Sequence, residues 1–195
     1  MRIEDGSFLV RQARKTIESW VTKGEKHVPE KWPDSFREKR GIFTTLNTYP
    51  GKELRGCIGI PEPVMALSEA LVESAVSVTR DPRFPELSVD ELDKITVEVS
   101  VLTKPELIKV KSPVEYPKSL NIGEHGLIIE KEGRSGLLLP QVPLEQNWDP
   151  EAFLSNLCMK AGLSPDSWVS DDVRIFRFRS EIFGETKPRG PVKKT

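Results

Sequence analysis

Hydrophobic residues recur every three or four positions in three segments of the chain, which is the period of an amphipathic helix. Each segment ends at a glycine or just before a proline, and both residues stop helices. The pattern therefore predicts three helices. They cover residues 5–23, 64–80 and 149–161, and they end at Gly24, Asp81–Pro82 and Gly162.

Alternating apolar and polar positions predict strands between these helices. The alternation is cleanest over residues 94–103, where isoleucine and valine occupy every second position. Ser88 and Glu91 have the spacing of a capping box, which predicts a short helix just before that strand. The predicted strands cover residues 41–47, 53–60, 94–103, 126–131, 135–139 and 173–183.

The order of these elements indicates the fold class. Hairpins interleaved with helices, in place of regular βαβ units, favour an α+β fold with a mixed or largely antiparallel sheet flanked by helices. We predict one domain over residues 1–183. Residues 184–195 contain four basic residues, one acidic residue and no apolar period, so we expect a basic tail that is mobile or lies over the surface.

Composition and charge disfavour several classes of partner. The 195 residues include 29 Lys and Arg against 30 Asp and Glu, so the net charge of −1 gives no general attraction to nucleic acid or to an anionic membrane. No apolar run reaches the ~20 residues that cross a bilayer, and no signal-peptide pattern opens the chain, so we expect a cytoplasmic protein. Arg174, Arg177 and Arg179 alternate with phenylalanines, a pattern that binds nucleic acid only in a basic field and here favours a charged edge strand.

The predicted strand over 53–60 contains the segment with the strongest candidates for a chemical role, Leu-Arg-Gly-Cys-Ile-Gly at 54–59. A period of two places Arg55, Cys57 and Gly59 on the face opposite the apolar residues. Gly59 would leave room for a ligand beside the thiol, and Arg55 would favour the nucleophilic thiolate. Alternatively, Gly56 and Gly59 allow close packing or a bulge, and Cys57 serves as a small hydrophobic residue.

The same segment resembles the signature hexapeptide of the AMMECR family, and further segments resemble blocks of that family in the same order. The resemblance covers nearly the whole chain. It implies an AMMECR-type fold of two associated lobes, a larger one with a central sheet flanked by helices and a smaller one. It implies no established activity, but it suggests Memo-like and radical SAM proteins as partners, because prokaryotic members are often encoded beside them. The further blocks are 41–47, 81–85, 97–102, 136–142, 148–149 and 188–191.

Polar side chains from three predicted strands form a candidate site. If the strands share one sheet, a thiol, a guanidinium, a carboxylate, an amide and hydroxyls line one surface, as acyl, amide or thiol-exchange chemistry requires. The alternative is a solvated sheet face on which Arg55 and Glu98 form a cross-strand ion pair. The set consists of Thr45, Asn47, Arg55, Cys57, Glu98 and Ser100.

Other positions are weaker candidates. His125 lies in a glycine-containing loop and could bring an imidazole base to the thiol, although a loop histidine is more often solvated. Asp81 and Arg83 could bind an anion, or they could brace a turn in which Phe84 fills the core. Gln141, at the end of a strand, could point into a cleft between lobes.

Two functional hypotheses remain open. The chain is either a module that binds a ligand or a Memo-like or radical SAM partner through the face around Arg55 and Cys57, or an enzyme with Cys57 as nucleophile and Glu98 or His125 as proton carriers. RNA or DNA binding is disfavoured by the charge balance. No cofactor or metal is indicated, because histidines and cysteines are not clustered. Cys158 lies on an apolar helical stripe, so we expect it in the core.

Overall fold

The computed structural model describes residues 1–194, which form two compact units. Unit 1 contains residues 1–102 together with the segment from residue 181 onward, and unit 2 contains residues 103–180. Each unit has an antiparallel sheet and its own helices, so the α+β class predicted from the sequence is confirmed. The helices are α1 (Ile3–Lys23), α2 (Leu67–Ser77), α3 (Val142–Glu145) and α4 (Pro150–Lys160). The strands are β1 (Ile42–Thr48), β2 (Leu54–Ile60), β3 (Ile95–Leu102), β4 (Glu106–Leu107), β5 (Gly126–Lys131), β6 (Arg134–Leu138), β7 (Arg174–Phe178), β8 (Ser180–Glu185) and β9 (Val192–Lys194).

Unit 1 is built on a five-stranded sheet with the order β2-β1-β3-β8-β9. One face of this sheet is apolar because every second residue of β1 and β3 is isoleucine, leucine or valine, apart from Thr44 and Thr48. Helices α1 and α2 pack on that face and exclude water from it. The fully buried side chains of the core include Leu9, Ile17, Ile42, Leu46, Leu71, Val97, Val99 and Phe183.

Helix α1 follows the predicted amphipathic pattern and ends as predicted. Gly24 adopts a left-handed conformation with φ 72°, and its N–H donates to the Trp20 carbonyl at 2.9 Å. This bond gives a donor to a carbonyl that the end of the helix leaves unpaired. The left-handed conformation costs little free energy because glycine has no Cβ. Within residues 1–194, no helix is both long enough and apolar enough to cross a bilayer.

A buried ion pair attaches β8 to the rest of unit 1. The Arg14 guanidinium, on a residue that is 4% exposed, pairs with Glu185 and also donates to the carbonyls of Leu92 and Ile95. The Glu185 carboxylate in turn accepts the Val97 N–H at 3.0 Å. Because each nitrogen of the guanidinium donates to an acceptor, the network fixes β8 beside β3.

Unit 2 is built on a four-stranded sheet with the order β4-β7-β5-β6, and α4 packs against it. The carboxylate of Asp149 accepts the Ala152 N–H at 2.8 Å, which confirms the predicted start of α4. Cys158 is 0% exposed, so its predicted place in the core is confirmed. Burial raises the pKa of its thiol.

Two predictions near the C-terminus are wrong. Residues 173–183 do not form one strand: β7 belongs to the sheet of unit 2, and β8 belongs to the sheet of unit 1. Strand β7 is also interior to its sheet, so its arginines do not protect an edge. Of the two alternatives predicted for the segment after residue 183, a position over the surface holds up to residue 194, because Val192–Lys194 pairs with β8 and Arg189 forms ion pairs with Glu18 and Asp93.

Candidate functional site

Cys57, Thr45 and Glu98 lie in one row across β2, β1 and β3. Thr45 is directly opposite Cys57 on one side and directly opposite Glu98 on the other, so the prediction that these strands share a sheet is confirmed. The Thr45 hydroxyl donates a hydrogen bond to the Cys57 sulfur at 3.3 Å. All three residues are partly exposed.

This row is the centre of what we call the polar face, the side of the sheet opposite α1 and α2. In the register, Phe43 is opposite Ser100 and Asn47 is opposite Thr96, so these residues flank the central row. The predicted grouping of Thr45, Asn47, Cys57, Glu98 and Ser100 is therefore present. The polar face consists of Phe43, Thr45, Asn47, Cys57, Thr96, Glu98 and Ser100, all of them partly exposed.

The carboxylate of Glu98 has an unusual environment. It is partly buried, and burial raises its pKa. Within residues 1–194, no side chain or backbone group forms a hydrogen bond or ion pair with it. Gly184 of β8 lies beside it: a Cβ at that glycine would be 3.5 Å from the Glu98 Cγ and Oε2 atoms.

Arg55 is directed away from Glu98, contrary to the predicted cross-strand ion pair. The register between β1 and β2 shifts between Leu46 and Asn47, so Arg55 is the extra residue of a bulge. Its guanidinium donates to the Glu91 carboxylate at 2.6 and 3.1 Å and to the Pro85 carbonyl at 2.9 Å. This ion pair lowers the pKa of Glu91 to about 2. The predicted activation of Cys57 by Arg55 finds no support, because this guanidinium already has a carboxylate partner.

Asp81 and Arg83 hold the backbone of Cys57. The Cys57 N–H donates to Asp81 Oδ2 at 2.8 Å, and the Cys57 carbonyl accepts from Arg83 Nη2 at 3.0 Å. Because β2 is an edge strand, these two side chains occupy hydrogen-bonding positions that a neighbouring strand would take. The Arg83 guanidinium holds the pKa of the Asp81 carboxyl well below its usual range. The geometry favours the predicted bracing role over an anion site.

Phe84 does not fill the core as predicted. Its side chain is partly exposed. The guanidinium carbons of Arg55 and Arg83 lie 5.8 and 5.7 Å from its ring centre, which is within the range of cation–π contacts. The ring therefore supports the two arginines that flank β2.

The two glycines of β2 serve packing. A Cβ at Gly56 would lie 3.1 Å from the Val78 carbonyl oxygen, so this glycine allows the end of the α2 segment to approach the strand. A Cβ at Gly59 would lie 2.3 Å from the Phe43 ring and 2.5 Å from the Ile42 carbonyl oxygen. The prediction that Gly59 leaves room for a ligand is wrong, because the Phe43 ring occupies that space.

His125 and Gln141 lie in unit 2. His125 is 3% exposed, which contradicts the expectation of a solvated loop residue. Its Nδ1 accepts the Asn121 N–H at 3.0 Å, so that nitrogen is unprotonated and fixed within its own loop. Burial, together with the charges of Arg177 and Arg179, lowers the pKa of His125. Gln141 is exposed and precedes α3. The role predicted for His125 at the thiol and the place predicted for Gln141 in a cleft stay predictions.

Sequence reasoning misses three residues of this region. Phe43 has the same parity as Thr45, so the alternation in β1 could have placed it on the polar face. Glu91 is recognisable as part of a capping box, but its bond to Arg55 depends on tertiary structure. Gly184 lies in the segment predicted to be a tail, and no local pattern indicates its place beside Glu98. Within residues 1–194, no three His, Cys, Asp or Glu side chains are grouped as a metal site requires.

Comparison with known proteins places the chain in a family. Protein MJ0810 of Methanocaldococcus jannaschii is 56% identical over 193 residues, covering 98% of this chain and 96% of the relative. Protein MK0488 of Methanopyrus kandleri is 50% identical over 196 residues, covering 99% of this chain and 94% of the relative. The crystal structure of the uncharacterized protein PH0010 from Pyrococcus horikoshii matches with a TM-score of 0.81 and 48% identity, covering 100% of this chain and 98% of that one. The AMMECR1 family model matches residues 10–183, and the chain therefore belongs to the AMMECR1 family.

Proposed function

We propose that this protein is a binding module that takes a ligand or a partner protein on the polar face around Cys57, Thr45 and Glu98. One observation carries the proposal. Glu98 is a partly buried carboxylate without a bonding partner within residues 1–194, and it lies in register with a partly exposed thiol and a hydroxyl. A polar group that loses water without gaining a partner costs free energy. A group that binds beside Glu98 would recover that cost.

Binding explains the geometry better than cysteine chemistry does. A nucleophilic thiol needs an adjacent base or cation to form the thiolate. The two arginines near Cys57 are paired with Glu91 and Asp81, and the Cys57 N–H, which could otherwise stabilise an oxyanion, donates to Asp81. The surroundings of the thiol thus fix its position and leave little to activate it.

We further propose Memo-like and radical SAM proteins as partners and the cytoplasm as the location. The partners follow from the resemblance of the sequence to the AMMECR family, whose prokaryotic members are often encoded beside such proteins. The location is supported by the two cysteines, both of which are free thiols. Reducing compartments keep thiols in that state.

The test measures binding of purified Memo-like and radical SAM proteins, encoded by the same genome, to the wild type and to Thr45→Arg. The arginine would place a bulky cation between Cys57 and Glu98 and so block the centre of the polar face. We expect the dissociation constant to rise at least about tenfold, which corresponds to about 1.4 kcal/mol.

Ser135→Arg is the matched control, because Ser135 is an exposed residue of β6 in unit 2. We expect it to bind as the wild type does, and circular dichroism verifies that both variants fold. Equal affinity of Thr45→Arg and the wild type would exclude the polar face as the binding surface. Failure of the wild type to bind either protein would exclude these partners.

A cysteine-dependent enzyme is the second candidate, and the Thr45 hydrogen bond favours it. The Thr45 hydroxyl donates to Cys57 Sγ and fixes the position of a partly exposed sulfur. Glu98, on the other side of Thr45, has a raised pKa and could carry a proton. If the wild type turns over a thioester or activated amide, Cys57→Ser abolishes that turnover, and the wild type binds neither partner protein, the enzyme hypothesis replaces the binding module.

A further inference from the structure

Acidic residues in this structure follow a rule to which Glu98 is the exception. Within residues 1–194, every other aspartate or glutamate that is buried or partly buried lies within ion-pair distance of a cationic group. Asp81 has Arg83, and Glu185 has Arg14. The same holds for Asp5, Glu18, Glu73, Glu91, Glu130 and Glu181.

The surroundings of Glu98 supply hydrogen-bonding oxygens, and the exposed Lys193 of β9, which is opposite Gly184, forms no ion pair with it. The polar face has no lysine, arginine or histidine among its members. The hydroxyl of Thr45 is opposite Glu98, and Ser100 and Thr96 lie two residues away on the same face of β3. Since the Thr45 hydroxyl donates its proton to Cys57, its lone pairs remain able to accept.

A glycine lies beside the carboxylate on the neighbouring strand. Gly184 of β8 places only a hydrogen where another residue would place a side chain, and a Cβ there would already touch Glu98 at 3.5 Å. Any longer side chain at this position would extend over the carboxylate. Gly184 is itself buried, so the side chain of Glu98 packs over the backbone of β8 at this glycine.

We infer that Glu98 recognises a protonated primary amine of the group that binds the polar face. An ammonium has three N–H donors and no acceptor, and it would find a carboxylate and hydroxyl oxygens around Glu98. The amine belongs either to a small molecule or to a lysine side chain of a partner. This inference rests on the proposed binding function and specifies its chemistry.

The experiment follows the side-chain carboxyl of Glu98 by carbon NMR in protein labelled with ¹³C-glutamate. Two probes distinguish the sources of the amine: n-propylammonium chloride for a small molecule, and Nα-acetyl-lysine methylamide for a lysine in a protein. Sodium chloride at the same concentration controls for ionic strength. We expect a saturable shift of the Glu98 signal and of the Thr45 and Ser100 amides with one or both amines, and the tighter probe identifies the source.

Glu98→Gln removes the charge with little change in size, and we expect it to weaken amine binding at least tenfold. Glu25→Gln, at an exposed glutamate, is the matched control and should bind as the wild type does. The inference is overturned if neither amine produces a saturable shift, or if Glu98→Gln responds as the wild type does. If Thr45→Arg still abolishes partner binding in that case, only the amine chemistry is wrong. If Thr45→Arg leaves partner binding intact while the amine shifts persist, the partner function is wrong.

Discussion

Asp81 accepts the backbone N–H of Cys57 at 2.8 Å and so takes the place that a carbonyl of another strand would occupy. Arg83 completes the arrangement by donating to the carbonyl of the same cysteine. The backbone of the residue in the centre of the site is thus hydrogen-bonded on its open edge by two side chains from one loop. Such bonding also prevents an unrelated strand from pairing at this point.

Replacement of Asp81 by asparagine is expected to destabilise unit 1. The carboxylate is 1% exposed and carries the hydrogen bonds of both Cys57 and Arg83, so the loss of charge weakens a buried, charge-assisted network. We expect the free energy of unfolding to fall by about 1–3 kcal/mol, measured by urea denaturation. Glu86→Gln is the control: it breaks an exposed ion pair with Arg80 and should change stability by no more than about 0.5 kcal/mol. Similar losses in both variants would contradict this account.

Acid should weaken the Arg55–Glu91 pair in a defined window. The pKa of Glu91 falls to about 2 in the folded protein, against about 4.3 for an unperturbed glutamate. A lowered folded pKa means that the stabilisation is fully present above about pH 4.3 and is lost as the pH falls toward 2. We expect this group to contribute about 1–2 kcal/mol, because solvent screens a carboxylate that is 31% exposed.

The measurement is urea denaturation of the wild type and Glu91→Gln between pH 5 and pH 3. The variant should be less stable at pH 5, and the difference should shrink as the pH falls. A difference that stays constant over this range would show that Glu91 acts by packing alone.

Glu98→Gln should raise the stability of the protein, whereas Glu91→Gln should lower it. Burial raises the pKa of this carboxyl, so the charged form costs stability at every pH above its folded pKa, and the cost disappears below about pH 4.3. We expect the variant to be more stable than the wild type at pH 7 by up to about 1 kcal/mol and equal to it near pH 4. Thermal unfolding of both proteins at the two pH values checks this, with Glu25→Gln as a neutral control. Destabilisation at pH 7 would mean that Glu98 has a partner that stabilises its charge.

The two thiols should differ in reactivity. Cys57 is partly exposed, whereas Cys158 is fully buried and its pKa is raised by burial. Iodoacetamide should therefore modify Cys57 at least about tenfold faster than Cys158 in the native protein, and at a similar rate in urea. Mass spectrometry of tryptic peptides gives both rates from one sample. Equal native rates would contradict the burial of Cys158 or the access to Cys57.

Local patterns were sufficient to predict most elements of unit 1 and the row across its sheet. The alternation over β3 places Glu98 opposite the core, and the hairpin of β1 and β2 places Cys57 beside Thr45. Local patterns could not predict the direction of the Arg55 side chain, because a bulge changes the register and the ion-pair partner is Glu91. A strict period of two cannot detect an inserted residue.

The hydrophobic pattern also could not predict that residues 173–183 divide into two strands, for a different reason. Both halves have apolar residues at strand spacing, but the buried positions change parity between Ile175 and Phe178. This change lies within β7, so it does not mark the point where the chain leaves one sheet and enters the other. Strand β9 lacks any periodic signal, because its place depends on pairing with β8 and on the ion pairs of Arg189.

The passage of the chain from unit 1 through unit 2 and back has a consequence for biosynthesis. Strand β8, which carries Glu185 to its buried partner Arg14 and Gly184 to its place beside Glu98, is translated only after all of unit 2. Translation proceeds from the N-terminus at about 5–20 residues per second, so the first 102 residues wait several seconds for their last strands. During that interval, the nascent sheet ends at β3, and Arg14 lacks Glu185, its buried carboxylate partner. The surroundings of Glu98 are thus completed only after all of unit 2 has been translated.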